Sequence, residues 1–281
     1  MVTAEIPFLD LAKVADSGQA FRIKVIDDSH VELVAFGRYL QIAQTGKDKF
    51  AFSCDTKDFE NIWKTYLDLG RDYGKIVKSI DRNDDYLLAA AKFGKGIRIL
   101  KQDVFETVIS YIISQRRSIP SITTSVERIS KLCGKKIEAP RLSSPFVKPL
   151  QKEYYAFPTP EELNSIPFSE LENTGVGYRA PYIVRAAEDF ASGKLTVESL
   201  SAMSDEDLYK ALMSMFGVGT KVANCVMLFA FARTGRFPVD VWIQRIEDKY
   251  YNGHFDSTPY PETAGIMQQF MFYYERRKPQ D

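Results

Sequence analysis

The sequence predicts an α+β protein in which an N-terminal antiparallel β-sheet domain packs on a mainly α-helical domain. Residues 20–54 alternate apolar and polar side chains as strands do, with turns at Gly37 and at residues 45–48. After this segment the apolar residues recur with the three-and-four spacing of helices. An antiparallel meander needs helices to cover one of its faces. We therefore expect a sheet domain at 1–98 and a helical domain at 99–281.

Several helices of the second domain have start and stop signals. Asp103 is placed to cap a helix with an apolar stripe, and a second stripe over 119–132 ends at Gly134 as a glycine C-cap would. Residues 138–158 contain four prolines, so they predict a long irregular connection. Thr159 then begins a capping box with proline at the first helical position.

Two glycine hinges of the same pattern follow. GVGYR at 175–179 precedes a predicted helix at 180–191, and GVGTK at 217–221 lies within a predicted helical hairpin at about 207–232. Glycines remove the Cβ atoms that would keep another backbone away. A helix that starts just after such a turn points unpaired N–H groups outward, which suits a phosphate. The repetition suggests two turns that grip a DNA backbone.

Lys221 and Asp240 are the first candidates for chemistry. Lys221 opens the helix after the second hinge, and Asp240 precedes a predicted helix at 241–250. A lysine is a nucleophile only when it is neutral, and burial at a helix N-terminus favours the neutral amine. Alternatively, Lys221 holds a phosphate as a point charge and Asp240 is an N-cap, a role compatible with a catalytic one.

Cys225, Gln268, Phe272 and Gly18 have two interpretations each. Cys225 lies one helical turn after Lys221, while Gln268 and Phe272 lie one turn apart on a late helix. They are either a core cysteine, a surface glutamine and a core phenylalanine, or a group that binds a flipped base. Gly18, within Ser-Gly-Gln, is either a turn or a bare backbone carbonyl close to that base.

Composition limits the function classes. The 37 basic and 37 acidic residues balance, so nucleic-acid binding would depend on local basic clusters. The three cysteines, Cys54, Cys133 and Cys225, form no C-x-x-C pair, and His30 and His254 have no ligand-spaced partner. Neither disulfides nor a metal site is therefore expected. Without a signal peptide or a run of ~18 apolar residues, we expect a soluble intracellular protein. We also expect it to be a monomer.

These motifs together resemble the helix-hairpin-helix DNA glycosylase superfamily, and within it the 8-oxoguanine DNA glycosylases. The resemblance covers nearly the whole chain and is carried, in order, by SGQAFR at 17–22, GIRILKQD at 96–103, SYIIS at 110–114, GVGYRA at 175–180, GVGTKVANC at 217–225, PVD at 238–240 and AGIMQQFMF at 264–272. It implies base-excision repair of double-stranded DNA. The enzyme would flip out 8-oxoguanine, excise it through a lysine Schiff base and cleave the strand, without metal or organic cofactor.

The resemblance also implies roles for individual residues. The catalytic pair would be Lys221 and Asp240, and the base-binding residues would be Gly18, Cys225, Gln268 and Phe272. DNA contacts would come from Gln115, Arg116, Tyr178, Arg179, Gly217, Gly219 and Trp242. The expected compartment is the cytoplasm, at the nucleoid in a prokaryote, or the nucleus in a eukaryote.

The chain departs from the eukaryotic pattern where that pattern reads the opposite strand. Gln-Arg-Arg at 115–117 replaces asparagines that fill the vacated stack, Ser121 replaces an arginine that reads the opposite cytosine, and Trp242 replaces a histidine. Arg179 and Arg116 remain as donors. We therefore predict a weaker preference for cytosine opposite the lesion, because fewer fixed donors penalise the wrong base.

Two alternatives stay open. One is an alkylated-base (3-methyladenine-type) glycosylase of the same superfamily, which usually lacks the lysine and works through water. The other is a non-catalytic DNA-binding module, which needs neither Lys221 nor Asp240.

Overall fold

The computed structural model describes residues 1–279 and confirms the α+β fold. Within these residues, no helix is both long and apolar enough to cross a membrane. The N-terminal sheet consists of β1 (Val2–Glu5), β2 (Ile23–Asp27), β3 (His30–Ala35), β4 (Arg38–Gly46) and β5 (Lys49–Phe52). Its five strands are antiparallel in the order β1-β5-β4-β3-β2.

The remainder of the described chain is mainly helical. The helices are α1 (Leu11–Asp16), α2 (Thr56–Asp58), α3 (Lys64–Tyr66), α4 (Tyr73–Lys78), α5 (Asp85–Phe93), α6 (Val104–Ile113), α7 (Ile119–Cys133), α8 (Pro160–Asn164), α9 (Phe168–Leu171), α10 (Ala180–Ala191), α11 (Val197–Ser201), α12 (Asp205–Met213), α13 (Thr220–Phe229), α14 (Val241–Tyr250) and α15 (Ala264–Arg277). The helices predicted at 180–191 and 241–250 are confirmed with the same bounds.

The predicted meander is confirmed, but the sheet has one more strand than predicted. Leu33 pairs with Leu40 and Ile42 with Phe52, so the centre of the sheet is buried. The buried Trp63, on a π-helical turn between α2 and α3, belongs to the same hydrophobic core. Strand β1 pairs with β5 at the sheet edge and was missed, because its residues lie half-buried or exposed and form no apolar stripe.

Asp103 and Gly134 lie at helix ends as predicted, but Gly134 is required for a different physical reason than the one predicted. Asp103 caps α6, where its carboxylate accepts a hydrogen bond of 2.9 Å from the backbone N of Glu106. Gly134 follows α7 as predicted, but its backbone is extended (φ −82°, ψ 158°) rather than left-handed. A Cβ on Gly134 would stand 1.9 Å from the carbonyl oxygen of Ala156. The glycine is therefore required by the close approach of another chain segment.

The connection over 138–158 is more ordered than predicted. A short hairpin of β6 (Lys136–Glu138) and β7 (Glu153–Tyr155) frames it. The intervening chain is bound to the sheet, because Gln41 accepts a hydrogen bond of 2.8 Å from the backbone N of Val147. The Tyr154 hydroxyl donates to the buried Glu32 at 2.8 Å. Gln41 and Glu32, which bind this connection, lie on β4 and β3, far away along the chain. Local sequence patterns do not reveal such partners.

A second hydrophobic core lies in the helical part, where α6 packs on α13 and α5 packs on α15. Val108 and Ile112 of α6 and Val226 of α13 are buried there. Helix α14 packs against α15. This arrangement brings the starts of α13 and α14, the end of α6 and one face of α15 around a single pocket.

Candidate active site

The hinge before α13 presents an open helix N-terminus. Gly217 has φ +82°, and a Cβ there would lie 2.2 Å from the ring of Tyr182, so only glycine fits. Gly219 has ordinary extended angles (φ −107°, ψ 178°) and serves as the N-cap of α13. Among residues 1–279, no atom lies within 4 Å of a Cβ built on Gly219. The space in front of the first N–H groups of α13 is therefore open to a phosphate.

Lys221, in the first turn of α13, is half-buried and faces the end of α6. Its Nζ donates a hydrogen bond of 3.2 Å to Ser114 Oγ and lies 4.9 Å from the centre of the Tyr111 ring. Cys225, one turn later, is buried. Burial raises the pKa of the Cys225 thiol to about 11, so it remains protonated near neutral pH. Ser114 and Tyr111 received no role from the sequence.

Asp240 is the N-cap of α14, as the structural interpretation predicted. Its Oδ1 accepts hydrogen bonds from the backbone N of Trp242 at 2.9 Å and of Ile243 at 3.0 Å. In the described part of the chain, Oδ2 takes no hydrogen bond and is free for a second role. Asp240 and Lys221 line the same pocket.

This pocket has a volume of about 1020 Å³ and collects most of the residues singled out in the sequence. Its lining includes Gly18, Gln115, Arg116, Gly219, Lys221, Asp240, Trp242 and Phe272. Gly18 has φ +78°, and a Cβ there would lie 2.9 Å from Ile119 and 3.1 Å from the ring of Phe272. The glycine thus brings its backbone against the aromatic face without an intervening side chain.

Gln268 and Cys225 are buried and do not form part of the pocket lining. The alternative of a surface glutamine is wrong, because Gln268 is only 4% exposed. Its Nε2 donates to the carbonyl of Pro238 at 3.1 Å, and its Oε1 accepts from Gln269 at 3.0 Å. Gln268 therefore needs a change of side-chain partners before it contacts a bound base.

Arg276 is a pocket residue to which the sequence gave no role in base binding. It lies one turn after Phe272 on α15, with its guanidinium 5.0 Å from the ring centre. Burial lowers the pKa of Arg276. Its spacing from Phe272 was the signal that could have identified it.

The corner between α6 and α7 is held by hydrogen bonds to both hinges. Gln115 Nε2 donates to the carbonyl of Gly217 at 3.0 Å. Arg117 donates to the carbonyl of Gly175 at 2.8 Å and also bonds Ser121. Arg116 projects between them with φ +53°, is exposed and makes no side-chain hydrogen bond within residues 1–279. Hydrogen bonds therefore hold Gln115 and Arg117 in place, while the Arg116 side chain between them stays exposed.

At the other hinge, Tyr178 and Arg179 differ sharply in accessibility. Tyr178 is 56% exposed, whereas Arg179 is 6% exposed. The Arg179 guanidinium donates to the carbonyls of Val176 and Gln115 and stacks on the Tyr178 ring at 4.2 Å. Burial lowers the pKa of Arg179. The prediction of Arg179 as a free donor is therefore corrected: its side chain faces inward and joins the hinge to the corner.

Within the described residues, no group of three or more histidine, cysteine, aspartate or glutamate side chains is arranged to hold a metal ion. The three cysteines are free.

Comparison with known proteins finds two family models along the chain. Residues 2–108 match "8-oxoguanine DNA glycosylase, N-terminal domain", and residues 109–268 match "HhH-GPD superfamily base excision DNA repair protein". A "Probable N-glycosylase/DNA lyase" of Methanothermobacter thermautotrophicus is 30% identical over 270 residues, which cover 85% of this chain and 78% of that protein. The N-glycosylase/DNA lyase of Saccharomyces cerevisiae is 36% identical over 172 residues, 56% of this chain and 42% of the yeast protein.

Solved structures of DNA glycosylases are also similar to this chain. The 8-oxoguanine glycosylase/lyase of Clostridium acetobutylicum, in complex with double-stranded DNA containing cytosine opposite 8-oxoguanine, has 32% identity and a TM-score of 0.87, with 95% of this chain and 92% of that chain covered. MBOgg1 in complex with a low-affinity DNA ligand has 36% identity and a TM-score of 0.88, covering 96% and 93%. The 3-methyladenine DNA glycosylase of Archaeoglobus fulgidus shares the fold, at 19% identity and a TM-score of 0.78, covering 99% of both chains.

Proposed function

The chain belongs to the HhH-GPD superfamily of base excision DNA repair proteins, with an N-terminal domain of the 8-oxoguanine DNA glycosylase type, and on this basis we propose that it excises 8-oxoguanine from double-stranded DNA and cleaves the strand as a lyase. One observation carries the proposal at the level of residues. Lys221 lies at an open helix N-terminus, in a pocket that also holds Asp240, Gly18 and Phe272.

The pocket binds the flipped base by stacking and by reading its edges. Phe272 lines the pocket and offers an aromatic face. Cys225 is buried behind the lining, one helical turn after Lys221, and would contact the base only after the pocket adjusts. Oxidised guanine carries an N7–H donor where guanine has an acceptor, so the Gly18 carbonyl accepts a hydrogen bond from the lesion alone. Gln268 binds the Watson–Crick edge after it exchanges its present partners.

Lys221 then acts as the nucleophile. A bond between Nζ and the deoxyribose C1′ forms as the bond from C1′ to N9 of the base breaks, and the proton lost by the amine passes to the departing base. The sugar ring opens to a Schiff base, from which loss of a C2′ proton expels the 3′ phosphate. Asp240, with Oδ2 free, stabilises the positive charge that develops on the sugar.

The remaining predicted residues hold the duplex. The N–H groups behind Gly217 and Gly219 bind a backbone phosphate, and Trp242 lies at the start of α14 on the pocket wall. Arg116 fills the space left by the flipped base, and Gln115 beside it joins this corner to the hinge before α13 through the Gly217 carbonyl. Tyr178 contacts the opposite strand from the second hinge.

Two alternatives give different results in one assay. An alkylated-base glycosylase does not need the lysine, and a non-catalytic module binds DNA without changing it. Single-turnover incubation with duplexes containing 8-oxoguanine or 3-methyladenine separates all three functions. We expect release of 8-oxoguanine with strand cleavage; faster release of 3-methyladenine would favour the first alternative, and no release from either duplex the second.

The proposed base pocket is tested with Phe272→Ala. Loss of one stacked base costs about 1–3 kcal/mol by analogy with single-strand stacking platforms. We therefore expect Phe272→Ala to weaken binding to the lesion duplex far more than it weakens binding to undamaged duplex, measured by fluorescence anisotropy. Phe272→Leu is the control variant that keeps apolar bulk without the aromatic face. Equal weakening on both duplexes would mean that Phe272 only supports the core.

A further inference from the structure

Tyr111 is a buried side chain in the middle of the proposed site that neither the sequence nor the proposed mechanism uses. It is 3% exposed, lies near the end of α6 and contributes to the pocket lining. Its ring stacks on Phe229 with centres 5.6 Å apart and meets Phe21 edge-on at 5.7 Å. Because two other rings hold it from different sides, the Tyr111 side chain has a fixed position.

One part of Tyr111 contacts the lysine. The ring centre lies 4.9 Å from Lys221 Nζ, a distance at which an aromatic face attracts an ammonium group. Ser114, the C-cap residue of α6, accepts a hydrogen bond of 3.2 Å from the same Nζ and donates to the Tyr111 carbonyl at 2.8 Å. The C-terminal end of α6 therefore contacts Lys221 Nζ through two side chains that lie one helical turn apart.

The other part of Tyr111 contacts the loop that carries Gly18. The hydroxyl donates a hydrogen bond of 3.1 Å to the carbonyl of Gln19, and Gln102 Nε2 donates to the same oxygen at 2.8 Å. The Gln19 side chain is fully buried and accepts from the backbone N of Leu100 at 2.7 Å. Burial raises the pKa of Tyr111 well above its ordinary value, so its hydroxyl stays a donor at physiological pH.

We infer that Tyr111 is a positioning residue that sets the distance between the nucleophile and the lesion-reading loop, its ring holding Lys221 and its hydroxyl holding the backbone beside Gly18. This inference rests on the proposed function. A single rigid side chain contacts both Lys221 and the loop. Removing the hydroxyl alone should therefore reduce recognition of the base at Gly18 more than it reduces the reactivity of the Lys221 amine.

Two reactions of the full-length protein separate these effects. Cleavage at a preformed abasic site needs Lys221 but no base in the pocket, whereas excision of 8-oxoguanine needs both. Tyr111→Phe keeps the ring and removes the hydroxyl, so we expect the ratio of excision rate to abasic-site cleavage rate to fall about fivefold to tenfold, the effect of one neutral hydrogen bond. The preference for binding 8-oxoguanine over guanine should fall with it.

Ser114→Ala is the matched control, because Ser114 contacts the lysine but not the loop. It should lower both rates together and leave their ratio unchanged. Tyr111→Leu, which loses ring and hydroxyl, should lower both rates and the ratio. If that variant does not fold, the comparison of Tyr111→Phe with Ser114→Ala still tests whether Tyr111 is a positioning residue.

An unchanged ratio in Tyr111→Phe would overturn the inference, and so would a ratio that falls equally in Ser114→Ala. Failure of the proposed function looks different. In that case the wild-type protein itself would neither excise 8-oxoguanine nor cleave at the abasic site.

Discussion

The hinges at 175–179 and 217–221 share the pattern glycine-valine-glycine-polar-base, yet they present different groups to the solvent. Their first glycines are alike, with φ +85° at Gly175 and +82° at Gly217. Their second glycines differ, because Gly177 has φ 61° and ψ −141° while Gly219 has φ −107° and ψ 178°. The chain consequently leaves the two hinges in different directions.

The backbone angles of the second glycine determine which N–H groups are exposed at the start of the following helix. Gly219 leads directly into α13, whose first N–H groups face open space. Gly177 leads into a 3₁₀ turn and then α10, which has Pro181 in its first turn and so lacks one donor. Lys221 lines the pocket, whereas Arg179 bonds backbone carbonyls. The repeated sequence specifies two turns, but within the described residues only the second turn leads into a helix start with open space in front of it.

The largest expected effect is at Gly217. Gly217→Ala forces a left-handed alanine and drives its Cβ into the Tyr182 ring, which together should cost roughly 2–4 kcal/mol of the free energy of unfolding. Urea or thermal unfolding measures this. Wild-type stability in the variant would show that Tyr182 yields easily and that the hinge is not rigid.

Gly177→Ala should have a smaller effect of the same kind. Within residues 1–279, no neighbour lies closer than 3.9 Å to a Cβ built on Gly177. Its backbone angles, however, belong to a region that favours glycine, at a cost of about 1–3 kcal/mol. Unfolding by urea is again the measurement. DNA affinity of the folded variant should change less than in Gly219→Ala; a reversed order would mean that this hinge also binds a phosphate.

Gly219→Ala should separate binding from stability. Its angles suit alanine and its Cβ meets open space, so the free energy of unfolding should fall by less than about 1 kcal/mol. The added methyl group stands where the phosphate approaches α13, and DNA affinity should fall on the order of tenfold, about 1.4 kcal/mol. Anisotropy titration and urea unfolding of the same sample check both values. Unchanged affinity would refute the phosphate site.

The smallest expected effect concerns the base opposite the lesion. Because Arg179 is bonded to backbone carbonyls, wild-type excision should favour cytosine over adenine by less than the ~1–3 kcal/mol that one fixed base contact provides. Arg179→Gln should leave the ratio of the two rates within about twofold, while Arg116→Ala should change it more. Single-turnover excision with C, A, G or T opposite gives these ratios. A strict requirement for cytosine would disprove the weak preference.

Patterns within a few residues predicted much of the fold and of the pocket. The glycine hinge at 175–179 placed the start of α10, and Asp240 as an N-cap placed the start of α14. The spacing of Gln268 and Phe272 placed them on one face of α15. These features depend on neighbours along the chain, and a single sequence contains that information.

Features fixed by distant segments were missed. Strand β1 depends on β5, and β7 follows a long connection pinned by Gln41 and Glu32. The inward turn of Arg179 depends on the Gln115 carbonyl, which lies on another corner. The position of Tyr111 likewise depends on Phe229 and on Gln19. Rules based on residue spacing along the chain cannot identify these distant partners.

The central claim is that Lys221 is the nucleophile, and borohydride trapping tests it most directly. Reduction during incubation with an 8-oxoguanine duplex should leave a covalent protein–DNA adduct, because the Schiff base is reduced to a stable amine. Lys221→Gln should lose the adduct while it retains most DNA binding, and Asp240→Asn should retain some adduct at a reduced rate. An undiminished adduct in Lys221→Gln would contradict the account.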